Sequence, residues 1–390
     1  VQHRINNGRE RGVDLAKRPD CACSMRRVAL HAQPGPPRFN GTSGTERHTC
    51  NWWDGAWIER SKVAKYRNTQ ETKCPSAVDN LTWVPQEDCR LPELDDLASG
   101  QLHALLQRVG RPLCFVGDSL VRQIFISTQC LLGRDPLASR ANADPALTAG
   151  RGVRFFDSKF LVADGMDRAT GIYYVHIDLP LLFSDRYRRI SDCSALVRGS
   201  GHHYDKTSLT FTTRQFGPCN TSSMSSVSNH TGCRGNYDAY QSVIKLVRQK
   251  LEEHEFRGPV VWASYAPRHF RYGEWNSGGS CNFPTRSGYS GTALADEMPY
   301  MYSTMQLYDK AAIKAWEGTR LNFGMLNVSS LTWLRPDAHY GLGAPHSNSS
   351  NESIVADCSH YKMVAGGVPD TWVRGLAAVL EARTQNRSRY

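Results

Sequence analysis

The sequence predicts an α/β fold with a mainly parallel central sheet flanked by helices, plus a cysteine-stapled N-terminal lobe. Three observations predict it. Beyond Cys89, short apolar runs alternate with longer stretches of helical period, which is the rhythm of strands joined by helical crossovers. One of these runs, Leu113–Gly117, passes straight into a helical stretch over Val121–Leu132. Farther on, Tyr240, Val243, Ile244, Val247 and Leu251 recur at helical spacing, with Lys245, Arg248, Lys250 and Glu252 on the opposite side, the pattern of an amphipathic helix laid on a sheet.

Taken in chain order, residues 1–46 are rich in Arg, Gly and Pro, cluster Pro34, Gly35, Pro36 and Pro37, and have no apolar period. They read as a stem or flexible tail. Residues 47–105 carry Cys50, Cys74 and Cys89 with Trp52, Trp53, Trp57, Trp83 and Tyr66 among few aliphatics. That is too little apolar mass to fold alone, so this lobe is expected to pack on the larger domain, residues 106–390. The expected strands of that domain are Leu113–Gly117, Ile172–Leu179, Ala195–Arg198, Val260–Ala263 and Phe323–Val328. After Trp372, the spacing of Leu376, Val379 and Leu380 predicts a C-terminal helix. No internal repeat or heptad is present.

Composition bounds the class of molecule. With 390 residues, 40% apolar and 22% charged, the chain has globular proportions and fits one main α/β domain. Lys and Arg number 47 against 37 Asp and Glu, a formal charge of +10. Such an excess favours anionic partners. The charges are scattered, however, without the basic run of a nucleic-acid patch, so they read as a solvated basic surface and no nucleic-acid partner is expected.

The 12 cysteines lack the paired CxxC knuckles of a zinc site, so disulfides are expected and a metal is not. Asn40, Asn80, Asn220, Asn229, Asn327, Asn348, Asn351 and Asn386 each begin an Asn-x-Ser/Thr acceptor. Together the two features point to the oxidising secretory route. No stretch approaches the roughly 18 apolar residues that cross a bilayer. Because the chain starts at Val1, an upstream signal peptide or membrane anchor is expected, and the two are not distinguished.

The sharpest local feature is Leu113-Cys114-Phe115-Val116-Gly117-Asp118-Ser119-Leu120. It sets Ser119 at a strand-to-helix turn, where first-turn N–H groups and the positive helix end face the same space as the hydroxyl. There they can stabilise an oxyanion, with Gly117 allowing a tight turn. Taken by itself, Ser119 reads as readily as a helix N-cap. A serine nucleophile needs a base and a carboxylate to orient that base. Asp357-Cys358-Ser359-His360 supplies both, and the spacing of three suggests that one turn brings the carboxylate to Nδ1 and leaves Nε2 for Ser119. His339, after Asp337, and His346 rank below His360 as bases. Leu120 and Val121 after the serine exclude a Gly-x-Ser-x-Gly elbow.

Several blocks in fixed order resemble the plant trichome birefringence-like proteins and the related PC-esterase group of the GDSL/SGNH superfamily. They are Cys50-Asn51-Trp52-Trp53-Asp54-Gly55-Ala56-Trp57, Cys89-Arg90-Leu91-Pro92 and Phe115-Val116-Gly117-Asp118-Ser119-Leu120. Then come Tyr265-Ala266-Pro267-Arg268-His269-Phe270 with Trp275-Asn276-Ser277-Gly278-Gly279-Ser280-Cys281, Leu334-Arg335-Pro336-Asp337-Ala338-His339, and finally Asp357-Cys358-Ser359-His360 with Gly367-Val368-Pro369-Asp370-Thr371-Trp372. The resemblance implies an SGNH-like three-layer domain. It also implies a Golgi-lumenal or secreted polysaccharide O-acetyltransferase, or an acetyl esterase with water as acceptor, using Ser119, His360 and Asp357. No bound cofactor is implied. The partners would be a polysaccharide acceptor and an acetyl donor, with acetyl-CoA the expected co-substrate, and membrane contact would come only through an upstream anchor. Ser119 N–H, Gly117, Asp118, Arg122, Gly201, His202, Arg268, His269 and Asn276 are the candidates for oxyanion or substrate binding. Two departures stand out. The family's second cysteine after the Asp-x-x-His block is missing, so Cys358 pairs elsewhere or stays free, and Gln123 replaces a usual Asn.

Overall fold

The computed structural model describes residues 51–60, 74, 77–86, 89–110, 113–133, 153–157, 193–199, 201–202, 234–273, 278–341 and 356–385, all within the unit Arg47–Tyr390. The expected stem, the expected strand Ile172–Leu179, and Trp275 with Asn276 lie outside these residues.

In the N-terminal part, β1 (Gly55–Glu59) and β2 (Leu81–Pro85) form an antiparallel pair. Next come helix α1 (Leu102–Val109), strand β3 (Leu113–Gly117), helix α2 (Ser119–Leu131), strands β4 (Val153–Asp157) and β5 (Ala195–Gly199), helix α3 (Arg234–Glu253) and strand β6 (Val260–Ala263). Helices α4 (Gly291–Glu297) and α5 (Pro299–Trp316), strand β7 (Phe323–Leu326), the short α6 (Ser329–Trp333), strands β8 (His339–Gly341) and β9 (Asp357–Tyr361) and the long α7 (Val368–Gln385) complete the described chain.

The central sheet has five strands, all parallel, in the order β4-β3-β5-β6-β7. Strands β3, β5 and β6 are buried along their whole length, so each reads as a nearly unbroken apolar run, as parallel strands covered on both faces do. Strand β4 was not expected. Val153-Arg154-Phe155-Phe156-Asp157 is broken by charge and too short to stand out in the sequence, but it sits at the sheet edge, where only one neighbour is needed.

The two faces separate by strand alternation. Cys114, Val116, Leu196, Val260 and Trp262 join a core with Tyr240, Ile244, Val247 and Leu251 of α3 and with Tyr308 and Trp316 of α5. Leu113, Phe115, Ala195, Val197, Val261 and Ala263 face the opposite way, onto α1, α2 and α7. Period-two side-chain alternation in parallel strands thus makes a three-layer α/β/α domain.

Trp52, Trp57 and Trp83 belong to the α1–α2–α7 core and do not form one of their own. Trp57 Nε1 donates to Leu331 O at 2.8 Å, and Cys74 is bonded to Cys130 of α2. The staple therefore runs from the lobe into the main domain. A buried ion cluster adds to it. Arg335 pairs through Nε and Nη2 with Asp337 (3.0 and 3.1 Å), reaches Asp79 at 2.9 Å, and lies 4.6 Å over the Trp57 ring. Two carboxylates and an indole face offset the cost of burying this guanidinium. Cys114–Cys193 and Cys281–Cys358 are also bonded, and Cys89 is disulfide-bonded too.

Candidate active site

The sheet order reverses beside β3. The chain leaves β3 for β4 on one side, whereas β5 is followed by β6 and β7 on the other. The crevice at the carboxyl ends of strands on either side of such a switch point is where open α/β sheets bind ligands. The segments that meet there are Gly117-Asp118-Ser119 after β3, Gly201-His202 after β5, and Ser264 to Ala266 after β6. Gly117 does not supply a left-handed turn. It supplies room: a Cβ there would stand 2.3 Å from Gly199 O and 2.5 Å from Val121 Cγ2.

Asp118 is the N-cap of α2. Its Oδ1 accepts from Leu120 N at 3.0 Å and Val121 N at 3.5 Å, and its carboxylate also takes the amide of His202. An acceptor spent on three amides does not bind an oxyanion, so the expected ligand role of Asp118 gives way to a capping role. Burial pushes its carboxyl up to about 6, against the pull of these amides and of the charge on His360. Ser119 is therefore the first residue of the helix and not its cap. Arg122 N bonds Asp118 O at 3.1 Å. The Ser119 N–H keeps no acceptor among the described residues, the state expected of a helix N-terminal amide.

Ser119 Oγ lies 2.7 Å from His360 Nε2, and His360 Nδ1 lies 2.9 Å from Asp357 Oδ2. With the imidazole proton on Nδ1 donated to Asp357, Nε2 is free to accept from the Ser119 hydroxyl. The pair is not built on a helical turn, as the spacing of three suggested. It lies on β9, where residues three apart would normally face opposite sides. Between paired positions β8 advances from His339 to Gly341 while β9 runs from Tyr361 back to Asp357. The extra residues are a bulge in β9, which re-aims His360. Asp357 Oδ1 closes the bulge by accepting from Ser359 N (3.1 Å) and His360 N (3.0 Å). Burial raises the Asp357 carboxyl, but the hydrogen bond and charge of His360 and the two amides outweigh it and hold the group below its ordinary range.

The remaining expected residues divide. Gly201, at φ 149°, lies so close to Tyr265 that a Cβ would stand 2.7 Å from Cδ2. The His202 ring packs 4.8 Å from Tyr265 and bonds Ala266 O. Arg268 donates to His202 O. The side chains of His202 and Arg268 thus hold loop carbonyls. Arg122 is half-buried on α2. His269 is not part of the oxyanion group: it is fully buried beneath the site, with Nε2 on Trp333 O at 3.0 Å and Nδ1 on His339 Nε2 at 2.7 Å.

His339 continues this chain, with Nδ1 2.9 Å from the backbone carbonyl of His360. It does not compete as a base; it supports the strand that carries the base. Two neutral imidazoles bring two N–H protons to three contacts, so one contact is always without a hydrogen. Burial nevertheless holds both rings neutral. It pushes His339 down to about 4, and His269, further opposed by His339, well below its usual 6.5. A histidine kept neutral in the fold but free to charge when unfolded lowers stability as pH falls below 6.5, by about 2 kcal/mol at pH 5. His269→Phe keeps the stack on Trp333, whose ring centroid is 5.1 Å away. Its destabilisation relative to the parent, measured by urea unfolding, is therefore expected to shrink by about 2 kcal/mol between pH 7.5 and pH 5. An equal gap at both pH values would mean that the ring is not held neutral.

Motif reading did not single out Gln123 for the site. It stands four residues after Ser119, and its amide reaches the backbone of Tyr361, beside His360. The shared helix face was the available signal; its target on β9 was not legible in one dimension.

The model of the PC-Esterase family, described as a GDSL/SGNH-like Acyl-Esterase family found in Pmr5 and Cas1p, matches residues 101–379. Protein trichome birefringence-like 14 of Arabidopsis thaliana is 24% identical over 388 residues, covering 86% of this chain and 87% of its own length. Protein trichome birefringence of Arabidopsis thaliana is 27% identical, covering 85% of this chain and 56% of its own length. Xyloglucan O-acetyltransferase 3 of Populus trichocarpa is 22% identical, covering 86% of each.

Proposed function

Because this chain belongs to the GDSL/SGNH-like PC-Esterase family, we propose that it transfers an acetyl group to a polysaccharide hydroxyl through an acyl-serine at Ser119. The observation that carries the reading is the run of contacts from Ser119 Oγ to His360 (2.7 Å) to Asp357 (2.9 Å). The name of the poplar relative, a xyloglucan O-acetyltransferase, supports transfer and a glycan acceptor.

In the first half-reaction Ser119 Oγ attacks the acetyl carbonyl of a thioester or ester donor as its proton passes to His360 Nε2. The oxyanion that forms is met by the Ser119 N–H at the positive end of α2. His360 returns the proton to the departing donor group as its bond to the acetyl carbon breaks. In the second half-reaction a sugar hydroxyl gives its proton to His360 and attacks the acyl-serine; the bond from the acetyl carbon to Ser119 Oγ breaks, His360 returns the proton to Oγ, and the sugar leaves as its acetyl ester. Asp357 holds the Nδ1 tautomer and balances the imidazolium at both stages. The disulfides and the poplar relative support action in the secretory pathway, with the Golgi lumen as the compartment proposed.

A second reading, hydrolysis, is favoured by the family's acyl-esterase description and by the exposure of His360, whose side chain is 32% accessible. The two share every residue and differ in the acceptor. Incubation of the purified protein with acetyl-CoA and mixed cell-wall oligosaccharides, followed by mass spectrometry, is expected to give oligosaccharides carrying added acetyl groups. Acetate released with no acetylated sugar would replace transfer by hydrolysis.

A further inference from the structure

We propose that Gln123 is a positioning residue for His360, setting the register between the helix that carries Ser119 and the strand that carries the base; this rests on the serine-nucleophile reading above. Gln123 lies one helical turn beyond Ser119, on the same face of α2, and is buried. Its Nε2 donates to Tyr361 O at 2.6 Å and its Oε1 accepts from Tyr361 N at 3.2 Å. One side-chain amide thus fills both main-chain groups of the residue after His360, as a neighbouring strand would.

The rest of β9 is already held. On its other edge β8 pairs His339 with Tyr361, and Lys362 N bonds Ala338 O at 2.8 Å. The Tyr361 ring is fully buried, with its hydroxyl donating to Pro267 O at 2.6 Å. This pins Tyr361 to the interior and leaves His360 turned toward the site. None of these bonds refers to α2. Ser119 and His360 are 241 residues apart, and their 2.7 Å contact depends on where α2 stands against β9. The Gln123 amide makes that reference directly, from the same helix face as the nucleophile. A misplacement of about 1 Å in such a pair costs on the order of 100-fold in rate.

The chemistry demanded at position 123 is specific: one donor and one acceptor in a plane at glutamine length. Methionine offers neither. An ionised glutamate sets a second oxygen against Tyr361 O, whereas a protonated one restores the donor–acceptor pattern of the amide. A merely space-filling residue has no such dependence.

The test is the rate at which a fluorophosphonate probe labels Ser119, since that reaction needs the serine and its base but neither acetyl donor nor glycan. It is measured from pH 5 to pH 8.5, well below the melting temperature of each variant. Gln123→Met is expected to label about 10- to 100-fold more slowly than the parent by a factor that does not change with pH. Gln123→Glu is expected to show a deficit that shrinks as pH falls and its carboxyl protonates. If Gln123→Met fails to fold, the pH-dependent rescue of Gln123→Glu decides alone. Labelling at the parental rate by a folded Gln123→Met, or a Gln123→Glu deficit that does not vary with pH, overturns the inference. Absence of labelling in the parent itself, with Ser119→Ala behaving identically, would remove the nucleophile reading and this inference with it.

Discussion

Ser119→Ala is expected to lower the rate of acetyl transfer by at least about a thousandfold while leaving the folded state intact. Loss of a serine nucleophile commonly has that size or more, since only binding and the oxyanion amide remain to act. The structure makes the separation from stability clean. The cap of α2 is the Asp118 carboxylate, which holds the amides of Leu120 and Val121. Removing the Ser119 hydroxyl takes away its 2.7 Å contact with His360 Nε2 and leaves the cap in place, and alanine is a good helix former. The check is a steady-state assay beside a thermal melt of the same preparation. Transfer persisting in a variant that melts like the parent would refute the nucleophile assignment.

Removal of the Cys281–Cys358 bond by a paired Cys281→Ala, Cys358→Ala change is expected to cost roughly 2 to 5 kcal/mol of stability, and to lower turnover as well. The two cysteines are 77 residues apart, so the bond closes a long loop whose freedom returns in the unfolded chain. The effect on turnover has a local origin. Cys358 sits inside the β9 bulge, between Asp357 and His360, and its carbonyl accepts from His269 N at 3.2 Å. Loosening it frees the segment that aims the imidazole. Guanidinium unfolding under non-reducing conditions, run beside the transfer assay, measures both effects. A double variant matching the parent in unfolding midpoint and in rate would show that the bridge is dispensable to both.

Parts of this arrangement were legible because they are local. Leu113–Gly117, Val260–Ala263 and the helix through Tyr240 and Leu251 announce themselves by apolar run or period, and the burial that creates those patterns is what the structure contains. Gly117-Asp118-Ser119 and Asp357-x-x-His360 stood out as motifs, and their side chains meet in space. The strand at Val153–Asp157 escaped because an edge strand is asked for little apolar continuity. The β9 bulge escaped because a spacing of three is equally available to a helical turn and to a distorted strand. Gly117, expected to permit a turn, proved instead to be a point of close backbone approach, and that requirement belongs to its neighbour Gly199 across the sheet.

The sequence by itself determined the fold class, the apolar central strands and amphipathic helices, and the two motifs that hold the serine and the aspartate–histidine pair, because each of these is written in residues within a turn or a strand of one another. Tertiary structure decided the rest. It gave Cys358 its partner in Cys281 where the family's nearby cysteine is missing. It withdrew His269 into a buried pair with His339 and set the Gln123 amide against Tyr361. Each of these depends on which loops the parallel sheet brings together at the carboxyl ends of its strands. That choice is made by packing two helical layers on opposite faces of one sheet, between residues whose separation along the chain carries no trace of their proximity.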